Sequence, residues 1–544
     1  MRFFHRVLPV LAFYQLDQLS GISNSIITLL SLKDFLFALD LIFIVPFLAY
    51  VFTKQKKRKV SLRLKFAQVT FIFALCTGLL FFKVDKMISA NGTEVISDIY
   101  MNKTLLNSMG VLNYHLADLY NTVKTSKSTT LSRSDILALR ASNESYQSTQ
   151  NHYHGAAVGK NLIIIQMEST QSFLINRSVN GQEVTPNLNK LLRSSMYFDN
   201  YFVQVSQGNS SDAEFMTFNS LYPLPVGASL LMYPKNDYIS LPKLLKARGY
   251  HTFVIHGDVP TFWGRDVAYP SMGIDKFISR NELKESSVIG MGLSDEEVFK
   301  QAIPIIEQAK KPFMSMIITL SSHHPFIIPE SKKELSITSG EYSQLFSDYL
   351  QSQHYADKEI GFFLDALERN GILDNSLLVV YGDHFGTGWT DSDIQKFLSI
   401  NEPLNEYKQM ELKKVPLLIR LPKGQNAGVL HQSGGQMDLM PTIANLMGLE
   451  RQKMFYFGQD LLNEKDGFSI FRYYAVDGSF ATNDFMYLGS ADGVFEHGHA
   501  YDRKTGQEIE VGFLRGKYNE AKKQLEMSDL LLKGNAIPDI LSDE

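Results

Sequence analysis

Five short apolar runs, separated by helical segments, constrain this chain more than any other feature. They are 161–167 (NLIIIQM), 251–256 (HTFVIH), 313–320 (FMSMIITL), 376–382 (SLLVVYG) and 415–421 (VPLLIRL). Continuous runs of this length suit strands covered on both faces. Between them, helical spacing predicts helices over 240–248, 295–310, 342–370 and 438–447. Such alternation argues an α/β domain from residue 159 onward, with a largely parallel central sheet flanked by helices. Ligands bind such sheets at the carboxyl ends of the strands.

A chain of 544 residues exceeds one typical domain. Its net charge of −4 leaves no nucleic-acid footprint. The single cysteine, Cys76, excludes a disulfide framework and a cysteine zinc site. It falls in one of two long apolar segments, 35–52 and 66–82, each of which reads as a membrane span. The loop between them carries Lys54, Lys56, Lys57, Arg58, Lys59, Arg63 and Lys65, which places it in the cytoplasm. Residue 85 onward is then extracellular. Asp40 within the first span reads as an acid paired inside a helix bundle. Segments 7–15 and 24–32 are too short to span, and the start is expected to lack upstream helices. Residues 96–125 have helical spacing, and 126–158, rich in Ser, Thr, Asn and Gln, read as an exposed linker with a candidate cleavage point after Ala141. The expected domains are 1–84 in the membrane, 85–158 as juxtamembrane helix and linker, and 159–544 outside.

Chemistry concentrates at the strand exits. Glu168 follows LIIIQM, where a carboxylate serves equally as a metal ligand or a helix cap. Asp383 and His384 follow LLVVYG and offer oxygen and nitrogen to one divalent ion. Gly382 and Gly386 flank them and leave the backbone free to bend. Ser210, in QGNSSDAEF, stands at a helix start, where backbone N–H groups and the dipole favour an anionic intermediate. Ser211 or Asp212 as N-cap, with Glu214 as capping-box acid, explains the same residues equally well. HGDVPTFWGRD holds His256, Asp258, Trp263 and Arg265 in one loop. There Arg265 suits phosphate, and Trp263 offers a flat wall for glycerol or sugar. His323 and His324 follow a further strand in LSSHHPF.

These stretches resemble the lipoteichoic acid synthase group of the alkaline phosphatase/sulfatase superfamily. NLIIIQMESTQSF, TPNLNKL, QGNSSDAEFMTFNSLY, SLPKLLKARGY, HGDVPTFWGRD, GIDKF, ITLSSHHPF, YGDHFG, GGQMDLMPTI and LEMSDLLLKG run in family order across 159–535. Residues 17–52 are similar to the end of the family's membrane domain. The resemblance implies a sulfatase-like fold and one manganese or magnesium ion per chain, held by Glu168, Ser210, Asp383 and His384. Ser210 stands at the nucleophile position, usually threonine, and Asn209 at a position where synthases commonly have lysine. Asp258, Trp263, Arg265 and His323 match residues that hold glycerophosphate.

The implied reaction is phosphoglycerol transfer from phosphatidylglycerol to a polyglycerolphosphate chain or glycolipid, through a covalent Ser210 intermediate, at a Gram-positive cell membrane. Alternatives on the same site are a primase, a sugar phosphoglycerol transferase, a phosphodiesterase or a non-catalytic envelope-binding homologue. A sulfatase activity would need a formylglycine sequence context that QGNSSDAE lacks.

Overall fold

The run NLIIIQM forms strand β1 (Asn161–Met167), and all seven of its residues are buried. Its side chains divide between two cores: Leu162 and Ile164 point into one, and Ile163, Ile165 and Met167 into the other. That split follows from the two-residue period of a strand covered on both faces. The computed structural model describes residues 131–145, 152–450, 453–463 and 465–541, with isolated positions between 45 and 115. The expected spans 35–52 and 66–82 and the helix expected over 96–125 lie outside the described residues apart from those isolated positions. Among the described residues, no helix is long and apolar enough to cross a membrane. The chain divides into two units, 1–121 and 122–544. The fold described below belongs to the second.

The central sheet has eight strands. After β1 come β2 (Met196–Phe198), β3 (His251–His256), β4 (Lys276–Ile278), β5 (Phe313–Ile318), β6 (Ser376–Gly382), β7 (Leu417–Arg420) and β8 (Gly428–Leu430). Their spatial order is β8-β2-β7-β6-β1-β5-β3-β4. β7 alone runs against its neighbours, β6 and β2, and the remaining pairs are parallel. The mostly parallel α/β architecture expected from the sequence is therefore present.

Helices cover both faces. On one side α4 (Asp295–Gln308) and α5 (Gln344–Arg369) bury Val298, Phe299, Ile360 and Phe363 against β1 and β6. On the other lie α1 (Ser210–Asn219), α2 (Leu241–Ala247) and α6 (Leu439–Leu446). α3 (Arg265–Ser271) follows β3 through the HGDVPTFWG loop. Each fully buried Leu, Ile or Phe contributes roughly 1.5–3 kcal/mol. A five-stranded antiparallel sheet (β9, Phe468–Ile470; β10, Phe480–Thr482; β11, Phe485–Leu488; β12, His499–Asp502; β13, Glu508–Ile509) lies toward the C-terminus. Helix α7 (Arg515–Gly534) follows it and packs Tyr518 on Tyr487 and Phe495.

Two local readings differ. Residues 133–145, read as linker, form a helix that buries Leu139 and touches the helix Ile537–Leu541. Its apolar positions Ile136, Leu137 and Leu139 are few among polar neighbours, which hid the pattern. Gly382 and Gly386 do not have positive φ. Their function is close approach: a Cβ on Gly382 would collide with the Thr170 carbonyl oxygen and sit 2.8 Å from Val415 Cβ, and one on Gly386 would collide with the Trp389 ring.

Gly382→Ala tests that crowding. Forcing a methyl against backbone is expected to lower stability by roughly 1–3 kcal/mol, measured by denaturant unfolding. Wild-type stability would contradict the close approach.

Candidate functional site

The register of β1 against β6 sets Met167 opposite Gly382, so Glu168 and Asp383 leave the sheet side by side. The Asp383 amide donates to the Met167 carbonyl at 3.0 Å. His384 comes next in sequence. Ser210, first residue of α1, completes the group: its Oγ lies 3.1 Å from Glu168 Oε2 and 3.4 Å from His384 Nε2. His384 Nε2 is 3.3 Å from Glu168 Oε1 and 3.8 Å from Asp383 Oδ2. The donor atoms of Glu168, Asp383 and His384 all lie within 4.8 Å of one another.

The backbone at Ser210 is held rather than capped. Asn209, the N-cap, adopts φ 43°, ψ −113° and makes no side-chain cap bond. Neither Ser211 nor Asp212 is the N-cap. Asp212 turns back instead, and its Oδ2 accepts from the amides of Gly208 (2.8 Å) and Ser206 (3.0 Å). Glu214, read as a capping acid, points to Arg265. Strained backbone that its surroundings over-determine is common at functional sites, and Ser169, just past Glu168, shares the feature at φ 54°. Beneath Ser210, Gln166 Nε2 donates to the Ser210 carbonyl at 3.1 Å. The Tyr381 hydroxyl donates to Gln166 and accepts from Thr217 at 3.0 Å. Gln436 Nε2 donates to the Asp383 carbonyl at 2.9 Å. None of these supports was singled out from the sequence, although Gln166, a polar residue inside an apolar strand, was a usable signal.

The donor set fits a divalent cation. Glu168 and Asp383 are 2% and 0% exposed, and two buried carboxylates this close require compensating positive charge. Asp383 Oδ1 accepts from the Ser169 and His384 amides, at 2.8 and 2.6 Å, whereas Oδ2 is buried without a hydrogen-bond partner. His384 Nδ1 donates to the Phe385 carbonyl at 3.0 Å, which turns Nε2 toward the carboxylates; without a metal that nitrogen carries a proton, which a bound cation would displace. Charge states follow the same logic. Burial raises Asp383 to about 7, the Glu168 charge adding to it and His384 opposing. Burial disfavours a charged His384, but Asp383 and Glu168 outweigh it and raise the imidazole to about 10. Burial also acts to raise Glu168, yet the His384 charge holds it well below the carboxylate range.

The loops after β3 and β5 form the neighbouring wall. Asp258 is buried, its Oδ1 accepts from the Val259 amide at 2.7 Å, and its Oδ2 has no hydrogen-bond partner. Burial raises its carboxyl above the ordinary range, with Arg265 and His323 among the charges opposing. His323 is half-buried with Nδ1 on the His324 carbonyl at 2.8 Å. It lies close enough to influence the charge of both Glu168 and Asp258. His256 is a core residue with Nδ1 on the Ile318 carbonyl, and burial lowers it to about 3. Burial also lowers His324, to about 4. Trp263 is half-buried at φ 61°. Arg265 is 1% exposed, and its Nε and Nη2 are both bonded to Glu214. It is neither a free surface guanidinium nor paired to Asp266.

A buried carboxylate–imidazole cluster at the strand ends of this sheet, with a hydroxyl at a helix N-terminus, defines a sulfatase-superfamily centre. The sulfatase family model matches residues 160–449, and the lipoteichoic acid synthase N-terminal domain matches 1–131. Lipoteichoic acid synthase 1 of Bacillus subtilis is 32% identical over 545 residues, 98% of this chain and 81% of that protein. Lipoteichoic acid synthase of Staphylococcus aureus is 31% identical over 547 residues, with the same two coverages. The crystal structure of the lipoteichoic acid synthase LtaP from Listeria monocytogenes matches with a TM-score of 0.66 at 32% identity, covering 76% of this chain and 98% of that one. An alkaline phosphatase superfamily protein from Vibrio parahaemolyticus matches in fold at 20% identity and TM-score 0.59. The chain belongs to the lipoteichoic acid synthase family and is a phosphotransferase of the sulfatase superfamily.

Removing one donor tests the cluster. Asp383→Asn and His384→Ala are each expected to lower divalent-metal affinity by more than the roughly ten- to a hundredfold loss typical of removing only an outer-shell partner. Elemental analysis should find one ion per chain in the parent. Two ions would contradict the single-centre geometry.

Proposed function

We propose that this chain is a membrane-anchored phosphoglycerol transferase that moves glycerophosphate from phosphatidylglycerol to a polyglycerolphosphate chain or glycolipid acceptor. The observation that carries the reading is Ser210 Oγ at the N-terminus of α1, 3.1 Å from Glu168 and 3.4 Å from His384. Relatives named lipoteichoic acid synthases support the substrate class. The N-terminal family match over 1–131 supports a multi-pass membrane domain ahead of an extracellular catalytic domain over 159–544. Proteolysis within 126–158 would release that domain, although Ala141 lies inside a helix that a protease must first open.

Ser210 Oγ attacks the phosphorus of the headgroup. The new Oγ–P bond replaces the bond from phosphorus to the diacylglycerol oxygen, and the serine proton balances the departing alkoxide. Glycerophosphoryl-Ser210 remains. An acceptor hydroxyl then attacks the same phosphorus, loses its proton and restores the serine hydroxyl. Glu168, Asp383, His384 and Ser210 would hold one manganese or magnesium ion, which supplies Lewis-acid stabilisation of the serine and phosphoryl oxygens. The Gln166–Tyr381–Thr217 relay keeps Ser210 aimed. Asp258 Oδ2, a buried acceptor without a donor, suits a glycerol hydroxyl. His323 lies near Asp258, Trp263 on the same loop would wall the glycerol, and Arg265 would offer Nη1 to the phosphoglycerol.

Full-length chain with fluorescent phosphatidylglycerol in vesicles tests the reading. Diacylglycerol release is expected with Mn²⁺ and is expected to stop with EDTA. Ser210→Ala should fall to background with its fold intact, and Ser210→Thr should keep activity because it preserves the hydroxyl. Full turnover by Ser210→Ala would remove Ser210 as nucleophile and turn attention to Ser211.

A further inference from the structure

Glu214 lies four positions after Ser210 on α1. Residues at i and i+4 share one face of a helix, about 6 Å apart along its axis. The face that presents the nucleophile therefore also presents a carboxylate. That carboxylate is fully buried and faces an almost fully buried guanidinium, at 0% and 1% side-chain exposure. Arg265 Nε donates to Glu214 Oε1 and Oε2 at 3.2 and 3.1 Å, and Nη2 donates to Oε1 at 2.5 Å. The Tyr269 hydroxyl, one turn along α3, donates to Oε2 at 2.5 Å. The fork of Arg265 is thus clamped along its Nε–Nη2 edge. Nη1 retains only a long 3.5 Å contact with the Phe262 carbonyl, while Asp258 and His256 lie close enough to exchange charge effects with the guanidinium.

We infer that Glu214 is a positioning residue: from the helix that carries Ser210, it fixes the Arg265 guanidinium so that Nη1 alone meets the phosphoglycerol. The inference rests on the proposed role of Arg265 in holding substrate. A bidentate Arg–carboxylate pair sets distance and rotation together. Nucleophile and substrate grip are then referenced to one rigid element, and a shift of α1 moves both. Replacing a buried ion pair by apolar residues is often neutral or favourable for stability.

The test uses the full-length chain and phosphatidylglycerol vesicles, with KM, kcat, bound metal and Tm measured together. Glu214→Asp keeps the charge, so Arg265 stays compensated and the chain folds, but it draws the guanidinium back by one methylene. It is expected to raise KM by about ten- to a hundredfold, the loss of a charge-assisted hydrogen bond, with metal content retained and kcat less affected. Arg265→Lys should raise KM similarly, because an ammonium cannot match the fork. The double variant should be no worse than Arg265→Lys alone, since Glu214 acts through Arg265. Wild-type KM in Glu214→Asp, beside an impaired Arg265→Lys, would overturn the inference and leave the site reading standing. An additive double variant would place the action of Glu214 elsewhere and overturn it too. Wild-type KM in Arg265→Lys would remove Arg265 from the substrate pocket, and the inference with it.

Discussion

The parallel pairing of β1 with β6 and with β5 governs everything at the site. Glu168 follows β1, Asp383 follows β6 and Thr319 follows β5, so the three arrive together only because these strands end in register. The Glu168 amide donates to Thr319 Oγ1 at 2.9 Å, and the Thr319 amide to the Gln166 carbonyl at 3.0 Å, which extends the ladder past the strand ends. A slip of one residue would exchange the two faces of β1, turning Leu162 and Ile164 into the core now filled by Ile163 and Ile165. The two dissimilar cores make that slip costly. Apolar packing remote from the chemistry therefore fixes the carboxylate geometry.

That geometry has an electrostatic cost. Two buried carboxylates share a pocket with one imidazole, and raised Asp383 and His384 express the same demand for positive charge. A cation that binds the folded chain alone stabilises it by about 2.7 kcal/mol at a concentration a hundred times its dissociation constant. On the proposed metal-bound reading, stability and metal supply would be linked, and the strained backbone at Ser169 and Asn209 adds to what the surrounding packing must offset.

Much of this was legible in the sequence because the central strands are buried on both faces. β1, β3 and β6 match their apolar runs end to end, and the four helices expected between and after the runs are present. β2, β4 and β8 were not legible: three residues each, they form edges and crossings without a run of their own. The antiparallel sheet after residue 467 escaped for the same reason. Glu168, Ser210, Asp383 and His384 could be picked out because each stands at an element boundary, and the structure places them together. The partner of Arg265 could not be read. Glu214 is 51 positions away in sequence, and its local context fits a helix cap equally well. Only the tertiary fold decides between a carboxylate that caps its own helix and one that clamps an arginine from another.

Asn209 shows how such a decision is made at the backbone. Its φ of 43° with ψ −113° lies outside the left-handed helical region that asparagine commonly adopts, in a region where most side chains are strained. Its side chain makes no cap bond to α1; Oδ1 accepts from the Tyr474 hydroxyl at 3.2 Å instead. The Tyr474 ring meets Phe385 edge-on at 4.3 Å, directly after His384. Asn209 and the segment after His384 are therefore joined through Tyr474, from the C-terminal part of the chain, and Phe385. A longer cationic side chain at 209, as the resemblance to synthases would lead one to expect, could not make this contact and would extend beyond it. The asparagine exchanges reach for a fixed turn ahead of Ser210, and Lys413 Nζ, 5.6 Å from the Phe385 ring and 5.9 Å from Tyr474, keeps a positive charge on that side of the site.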